Sequence, residues 1–510
     1  MTRAISWRLY VAWNGTTYVN ETGRLIQATG ETRLSADTFG NNRGIVDRCT
    51  LELANHDGRY SPLNSSGALY SSLQNGGAYH RPMYLSVSVG GAFSRIFTGV
   101  IKLPRETPVT NNAIATATIE CRGMDELLLG RRISTTIDML QTANAGGYTE
   151  GDVIQQWLAE VLTVTSFDYE PGDEDDTIGT FGAAVIDTGM FPIPWAWLDD
   201  ESVLEEIWQL AAACGGRFYC DSGGNYRYEN AAHWLSHNSS TETITRAGMA
   251  GFEPSYADSD LYSEITVETS PRVQGATAVL WEPDEQVVIQ PGETRKLTAR
   301  LKQAAYSVET PVMSAATSGG LDITSSVTVT VVTANVQRVE LSITNAAAEA
   351  AYLHPFRISG VPLEGGPTQE EKRTSSANGS NGTWWSARGQ RSKAMRGNAY
   401  IQTQAHAGAV AQMMLHRSEY PRLTYRLRGV PGVPSRLCGN RITIQDDTIM
   451  SSSREAFITG ISWRLTQNGF TQDIEAIDAA SLYPYQSEGY FVVGTNKVGA
   501  SGTGTARIFY

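Results

Sequence analysis

The chain has 510 residues, a formal net charge of -13 and only 18% charged residues, with 49 glycines and abundant serine and threonine. That length is too great for one ordinary core and predicts about three or four domains. The acid excess argues against a surface built to grip a phosphate backbone, which needs clustered Lys and Arg, and the composition points to a β-rich assembly protein more than to a helical enzyme.

Five cysteines, Cys49, Cys121, Cys214, Cys220 and Cys438, are odd in number, and no secretory signal precedes the first strand, so folding in a reducing cytoplasm is expected. No run approaches the ~18 apolar residues of a membrane helix, and a soluble protein is expected.

Ile5-Ser6-Trp7-Arg8-Leu9 opens the chain, and Ile5, Trp7, Leu9, Val11 and Trp13 alternate as one face of a strand before an Asn14-Gly15 turn. Leu51 and Leu53 alternate next, up to a turn at Asp57-Gly58. Leu85, Val87 and Val89 lead to a Gly90-Gly91 turn and a strand ending in Ile96 to Gly99, and Ile114 to Cys121 adds another. Residues 1–135 are therefore expected to be a β-barrel-like module.

Composition then shifts. Val153, Ile154, Trp157, Leu158 and Val161 fall at helical spacing between Asp152 and Leu162. Ser202 and Glu205 predict a capping box for a second helix striped with Leu204, Ile207, Trp208 and Ala211 and stopped by Gly215-Gly216. Phe218 to Tyr228 reads as a hairpin, which makes 136–247 a small α+β domain. A Pro291-Gly292 turn and the alternation of Val327, Val329 and Val331 with threonines predict a β-sandwich insert over 248–363.

Residues 364–398 are polar and read as a loop or linker. They hold Trp384 and Trp385, which either anchor a partner or fold back on their own domain. A helix from Gln404 to Arg417, with Ala405, Ala409, Val410, Met413 and Met414 on one face, opens the last module, 399–483. That module ends in GISWRLTQNGFTQDIEA at Gly460 to Ala476, a hairpin turning at Asn468-Gly469, and 484–510 is an extended arm. The pentamer ISWRL thus stands at Ile5 and again at Ile461. Either strands built from few residue types coincide, or two related β-modules sit at opposite ends of the chain.

Signals for chemistry are poor. Gly494 to Ser501 has the spacing of a phosphate loop, but Ala500 stands where lysine belongs and no helix follows. His233 and His237 are four apart with no third ligand signposted. Cys214 and Cys220 fit no zinc spacing, Asp173 to Asp176 lacks the alternation and glycine of a calcium loop, and Glu205-Glu206 is a pair only in sequence. No nucleophile elbow is present. The expectation is a protein that is not an enzyme, with no catalytic, cofactor or metal residues and Trp384 and Trp385 as the candidate interface.

Three stretches carry a resemblance to a known family. They are LELANHDGRYSPLN at Leu51 to Asn64 with RPMYLSVSV and RIFTGVI; VVIQPGETRKLTARL at Val287 with ITNAAAEAAYLHPFRISGVPL at Ile343; and YIQTQAHAGAVAQMML at Tyr400 with GNRITI and FITGISWRL. In order and spacing the chain resembles the tail-tip, or baseplate, hub proteins of long-tailed bacteriophages, often labelled minor tail proteins. The closing GYFVVGTNKVG is similar to the ends of such proteins.

The resemblance implies a mainly β virion protein whose two terminal barrel-like modules come together. Three subunits would form a ring of six similar modules, adapting a six-fold tail tube to a three-fold fibre or spike and forming the exit channel in DNA ejection. Its partners would be two further copies, the distal tail ring protein, the tape measure protein and the central fibre or spike; DNA would pass without specific binding. A six-copy tail adaptor and a host-glycan-binding module are the alternatives, the latter through the inserted domain and its tryptophans. A cell-wall hydrolase would need an appended domain that is not visible here.

Overall fold

The computed structural model describes residues 4–15, 17–34, 45–70, 80–107, 115–162, 184–237, 239–257, 261–375, 389–419 and 421–482. Trp384, Trp385, the acidic run from Asp173 to Asp176 and the arm 484–510 lie outside the described residues. The chain is mainly β, and no helix among the described residues is long and apolar enough to cross a membrane.

Among the described residues, fourteen strands form one sheet. Numbered in chain order, they are β1 (Ile5–Val11), β2 (Val19–Asn20), β3 (Leu25–Leu34), β4 (Ile45–Ala54), β5 (Arg81–Val89), β6 (Ser94–Ile101), β7 (Arg105–Thr107) and β8 (Thr116–Gly123) from the start of the chain. Later come β9 (Thr243–Thr245), β10 (Gly251–Ala257), β11 (Arg422–Pro431), β12 (Arg441–Gln445), β13 (Arg454–Thr466) and β14 (Gly469–Asp478). The main path runs β10-β11-β14-β13-β3-β4-β8-β6-β5-β1-β2, with β12 beside β13, β9 beside β12 and β7 beside β8.

Alternating apolar residues put one face of nearly every strand into a single core. Leu9, Leu51 and Phe97 from the first part of the chain meet Leu427, Ile442 and Ile461 from the last, all fully or almost fully buried. The sheet therefore curls about one core. The two terminal modules, expected to be barrel-like and to come together, do come together, as two halves of one open sheet. The seam is antiparallel pairing of Gln27–Arg33 on β3 with Gly460–Thr466 on β13. The physical reason is the edge: each half ends in a long strand whose backbone donors and acceptors need a partner, and each supplies the other's.

The opposite face of the sheet is divided. Over β1, β5 and β6 it is covered, because Tyr10, Tyr84 and Val100 pack against a helical layer. That layer holds α1 (Ile137–Gly146), α2 (Glu150–Val161), α3 (Val203–Ala213) and α4 (Gln404–Ser418). The hairpin Arg217–Cys220 with Tyr226–Glu229 closes it, and its tip is held on β6 by Thr98 Oγ1 donating to the Ser222 carbonyl at 2.6 Å. The inserted sandwich has its own core of Ile289, Leu341, Ile343, Phe356 and Ile358. It lies between a sheet built on the long strand Ala351–Gly365 and the sheet of Thr294–Arg300, Arg338–Asn345 and Val327–Ala334.

Four local expectations need correction. Ser202 makes no cap to its helix; its hydroxyl donates to the Leu129 carbonyl, and the capping box forms instead at Thr149 and Asp152, one helix earlier. The last hairpin turns at Gln467-Asn468, because Thr466 already pairs with Gly469. The buried face of α4 is Ala407, Val410, Ala411, Met414 and Leu415, rotated from the expected one, and it includes His406, a polar residue inside the core. The described ends of the polar stretch 364–398 are strands, Glu370–Thr374 and Ser392–Met395, flanking Glu264–Glu268. Their apolar complement, Ile265 and Val267, comes from the central strand, so neither segment carries the pattern alone.

The motif from Leu51 to Asn64 gains a physical meaning here. The Asp57-Gly58 turn, with Gly58 at φ 66°, sends Arg59 and Tyr60 back onto the buried Glu21. Its carboxylate accepts from Trp13 Nε1 at 2.8 Å, from Tyr60 Oη at 2.7 Å and from Arg59 Nη2 at 2.7 Å. Glu21→Gln removes the charge while keeping an acceptor, and urea titration is expected to register a loss of about 1–3 kcal/mol. A change indistinguishable from zero would mean that the three donors do not depend on the carboxylate.

Candidate functional site

What remains of the outer sheet face is open to solvent and crosses the seam. Its residues stand in register from strand to strand. Thr118, Glu52, Gln27, Thr466 and Gly469 form one row, and Glu120, Thr50, Thr29, Arg464 and Thr471 the next. Arg122, Arg48, Glu31, Ser462 and Asp473 form a third. In a fourth, Arg33, Gly460, Glu475, Arg426 and Glu253 carry it to the edge.

Small hydroxyl side chains alternate with charges, and the charges hold one another. Arg33 meets Glu475 at 2.8 Å across the seam, Arg48 meets Glu31 at 3.2 Å, and Arg428 meets Glu253 at 3.0 Å. Gln27 Nε2 donates to Glu52 at 2.6 Å and Arg464 donates to Gln27 at 3.3 Å. Pairs this exposed contribute little stability, about 0–1 kcal/mol each. Their consequence is electrostatic: Arg33, Arg48 and Arg428 already have carboxylate partners, which reduces the field this face offers a polyanion. A shallow groove of about 470 Å³ follows the seam, between Glu31, Arg48, Arg464 and Asp473.

Under that groove lies the closest packing of the seam. Gly30 faces Trp463 directly across the strand pair, and a Cβ on Gly30 would stand 2.8 Å from Trp463 Nε1 and nearer still to its ring carbons. Only glycine lets the indole lie flat against β3.

The other sequence candidates separate. His233 and His237 do approach, with ring centroids 5.4 Å apart on a 3₁₀ turn. His233 Nδ1 bonds Asp187 at 2.7 Å, which holds its imidazole above the usual range, and His237 Nδ1 bonds the Gly439 carbonyl at 2.8 Å. Both line a cleft of about 220 Å³ with Asp221, Glu229, Arg436 and Cys438, and among the described residues no group of three His, Cys, Asp or Glu is placed to hold a metal. Cys214 lies 3.7 Å from His406, but both are buried in the helical core, where burial pushes the thiol up and the imidazole down to about 4. Neither is presented to a substrate. The other cysteines are free and buried too. Glu206 accepts from Tyr400 Oη and from Gln209, so it is already engaged.

The sequence reading missed the polar face altogether. Its signal was present as the residues between the apolar ones, Thr29, Glu31 and Arg33 or Ser462 and Arg464, but which strands lie side by side is a property of the fold.

No family model matches the sequence, and no curated protein matches it. Among solved structures, the chain is similar to a tail protein from Neisseria meningitidis MC58, at 9% identity over 94% of this chain and 98% of that one, with a TM-score of 0.47. It is also similar to the 43 kDa tail protein of prophage MuSo2 from Shewanella oneidensis, at 12% identity over 94% and 98%, with a TM-score of 0.44. Prophage tail protein gp18 from Listeria monocytogenes EGD-e matches at 10% identity over 95% and 98%, with a TM-score of 0.41. These are distant likenesses of fold.

Proposed function

We propose that this chain is a structural subunit of a phage tail, a hub of three copies at the distal end of the tube. Its open sheet face would line the channel through which DNA leaves. The observation that carries the reading is the seam: the two ends of the chain, resembling each other in ISWRL, join as neighbouring halves of one sheet through β3 and β13. A chain with two such halves can stand in for two subunits of a six-fold tube, so that three copies meet a three-fold fibre or spike. The tape measure protein and the distal tail ring would be neighbours on the tube side. The role is geometric and needs no catalysis.

Imaging the assembled tail tip for copy number and symmetry tests this. Three copies around the channel are expected; six would replace the hub with an adaptor, and copies on side fibres alone would sink the reading.

The paired face has its own consequence. Duplex DNA is expected not to bind the purified chain at physiological salt, whereas the variant E31K/D473K/E475K is expected to bind it, with affinity falling steeply as salt rises. Fluorescence anisotropy at two salt concentrations measures both, and tight binding by the unaltered chain would argue against a channel lining.

A further inference from the structure

The sheet path is open, and its two ends resemble the two sides of the internal seam. On β13, Ile461, Trp463 and Leu465 face the core, while the outer edge is taken by β3. On β1, Ile5, Trp7 and Leu9 face the same core, and both Trp7 and Trp463 have their indole N–H enclosed without an acceptor. The outer edge of β1 is paired by β2 only at Tyr10 and Val11. Among the described residues no strand pairs with β1 on that side at Ile5, Ser6 or Trp7. At the other end, β10 pairs among the described residues with β11 alone.

Direction agrees as well. Every neighbouring pair from β10 to β1 is antiparallel, and β1 is the tenth strand of that path. A second copy's β10 laid beside β1 in the same sense would therefore be antiparallel again, as β3 is to β13. The faces also match. Ile5 and Trp7 at one end and Phe252 at the other are only partly buried against the core, and Ser6 and Ser255 are exposed. Tyr256 on β10 is 67% exposed.

We propose that β10 of one copy pairs with the Ile5–Trp7 edge of the next, head to tail, repeating between chains the seam that β3 and β13 make within one. This deepens the preceding reading and rests on it, the partner being a second copy of this chain. A head-to-tail contact between different edges closes into a ring when its rotation divides the circle.

The test mixes two full-length single variants, Ser6→Cys and Ser255→Cys, treats them with a short bis-maleimide, and measures association by sedimentation; the native cysteines are all buried. Cross-linking between the two variants, with neither linked to itself, is the expected result. Tyr256→Lys is expected to weaken self-association at least tenfold with an unchanged unfolding transition. Self-linked Ser6→Cys, oligomers without the cross-link, or a chain that stays monomeric at every concentration each overturn the edge contact. Three copies in tail images alongside any of these would leave the hub reading standing, and the cross-link with no tail location would leave only the contact.

Discussion

Gly30→Val should destabilise the protein by about 3 kcal/mol or more, while Thr29→Val on the same strand should change it by no more than about 0.5 kcal/mol. The two positions differ by one residue and by a whole face. Thr29 points to solvent, whereas any Cβ at Gly30 falls on the indole of Trp463 within ordinary contact distance. Trp463 is 5% exposed and walled by the core, so it cannot swing aside cheaply. Strain at this point also forces β3 away from β13, where the two ends of the chain share a ladder. A double-mutant cycle with Trp463→Ala separates the causes. Trp463→Ala alone should cost about 3–5 kcal/mol through its cavity, and the double variant should cost at least about 1 kcal/mol less than the sum, because the valine then has room. Denaturant titration of the four chains decides it. Additive costs, or a Gly30→Val as mild as Thr29→Val, would remove the seam packing as a determinant of stability.

Gly30 also marks what could be read beforehand. The alternation of Ile461, Trp463 and Leu465, the Asn14-Gly15 turn and the stripe Val153, Ile154, Trp157, Leu158 are local, and the strands and helix they predict are present. A resemblance spread along the chain anticipated that its ends come together. That β3 would be the strand to meet β13 was not legible, since nothing in ATGETR names its partner across more than four hundred residues. The polar face was invisible for the same reason: each strand contributes ordinary surface residues, and only their register makes charge pairs of them. His406 shows the converse limit. Its type suggests surface, and it is 2% exposed because the Ala213 carbonyl and the Phe191 ring supply what water would have given.

That residue makes the second large effect, an acid instability that should vanish in His406→Gln. Nε2 lies 3.1 Å from the Ala213 carbonyl and must donate to it, so the ring is the neutral Nε2–H tautomer. Phe191 stacks on it with centroids 4.4 Å apart, and Nδ1 is enclosed with no partner among the described residues. A proton on Nδ1 would be a buried charge with nothing to receive it, and burial accordingly pulls the pKa from 6.5 down to about 4. The sign follows from proton counting. Between pH 6.5 and 4 the unfolded chain binds this proton and the folded chain does not, so stability is full above 6.5 and declines as pH falls, down to about 4. The shift corresponds to roughly 3 kcal/mol over that window, at about 1.4 kcal/mol per pH unit. Asp125, whose carboxyl burial pushes up to about 6, works the other way across part of the same range, so the slope of the unaltered chain alone does not isolate His406. The difference between the two chains does. Glutamine keeps a donor for Ala213 and cannot ionise; it should be the less stable form at pH 7.5 and should gain on the histidine form by about 3 kcal/mol on going to pH 4. A difference that stays constant with pH would show that the imidazole is not held neutral in the folded core.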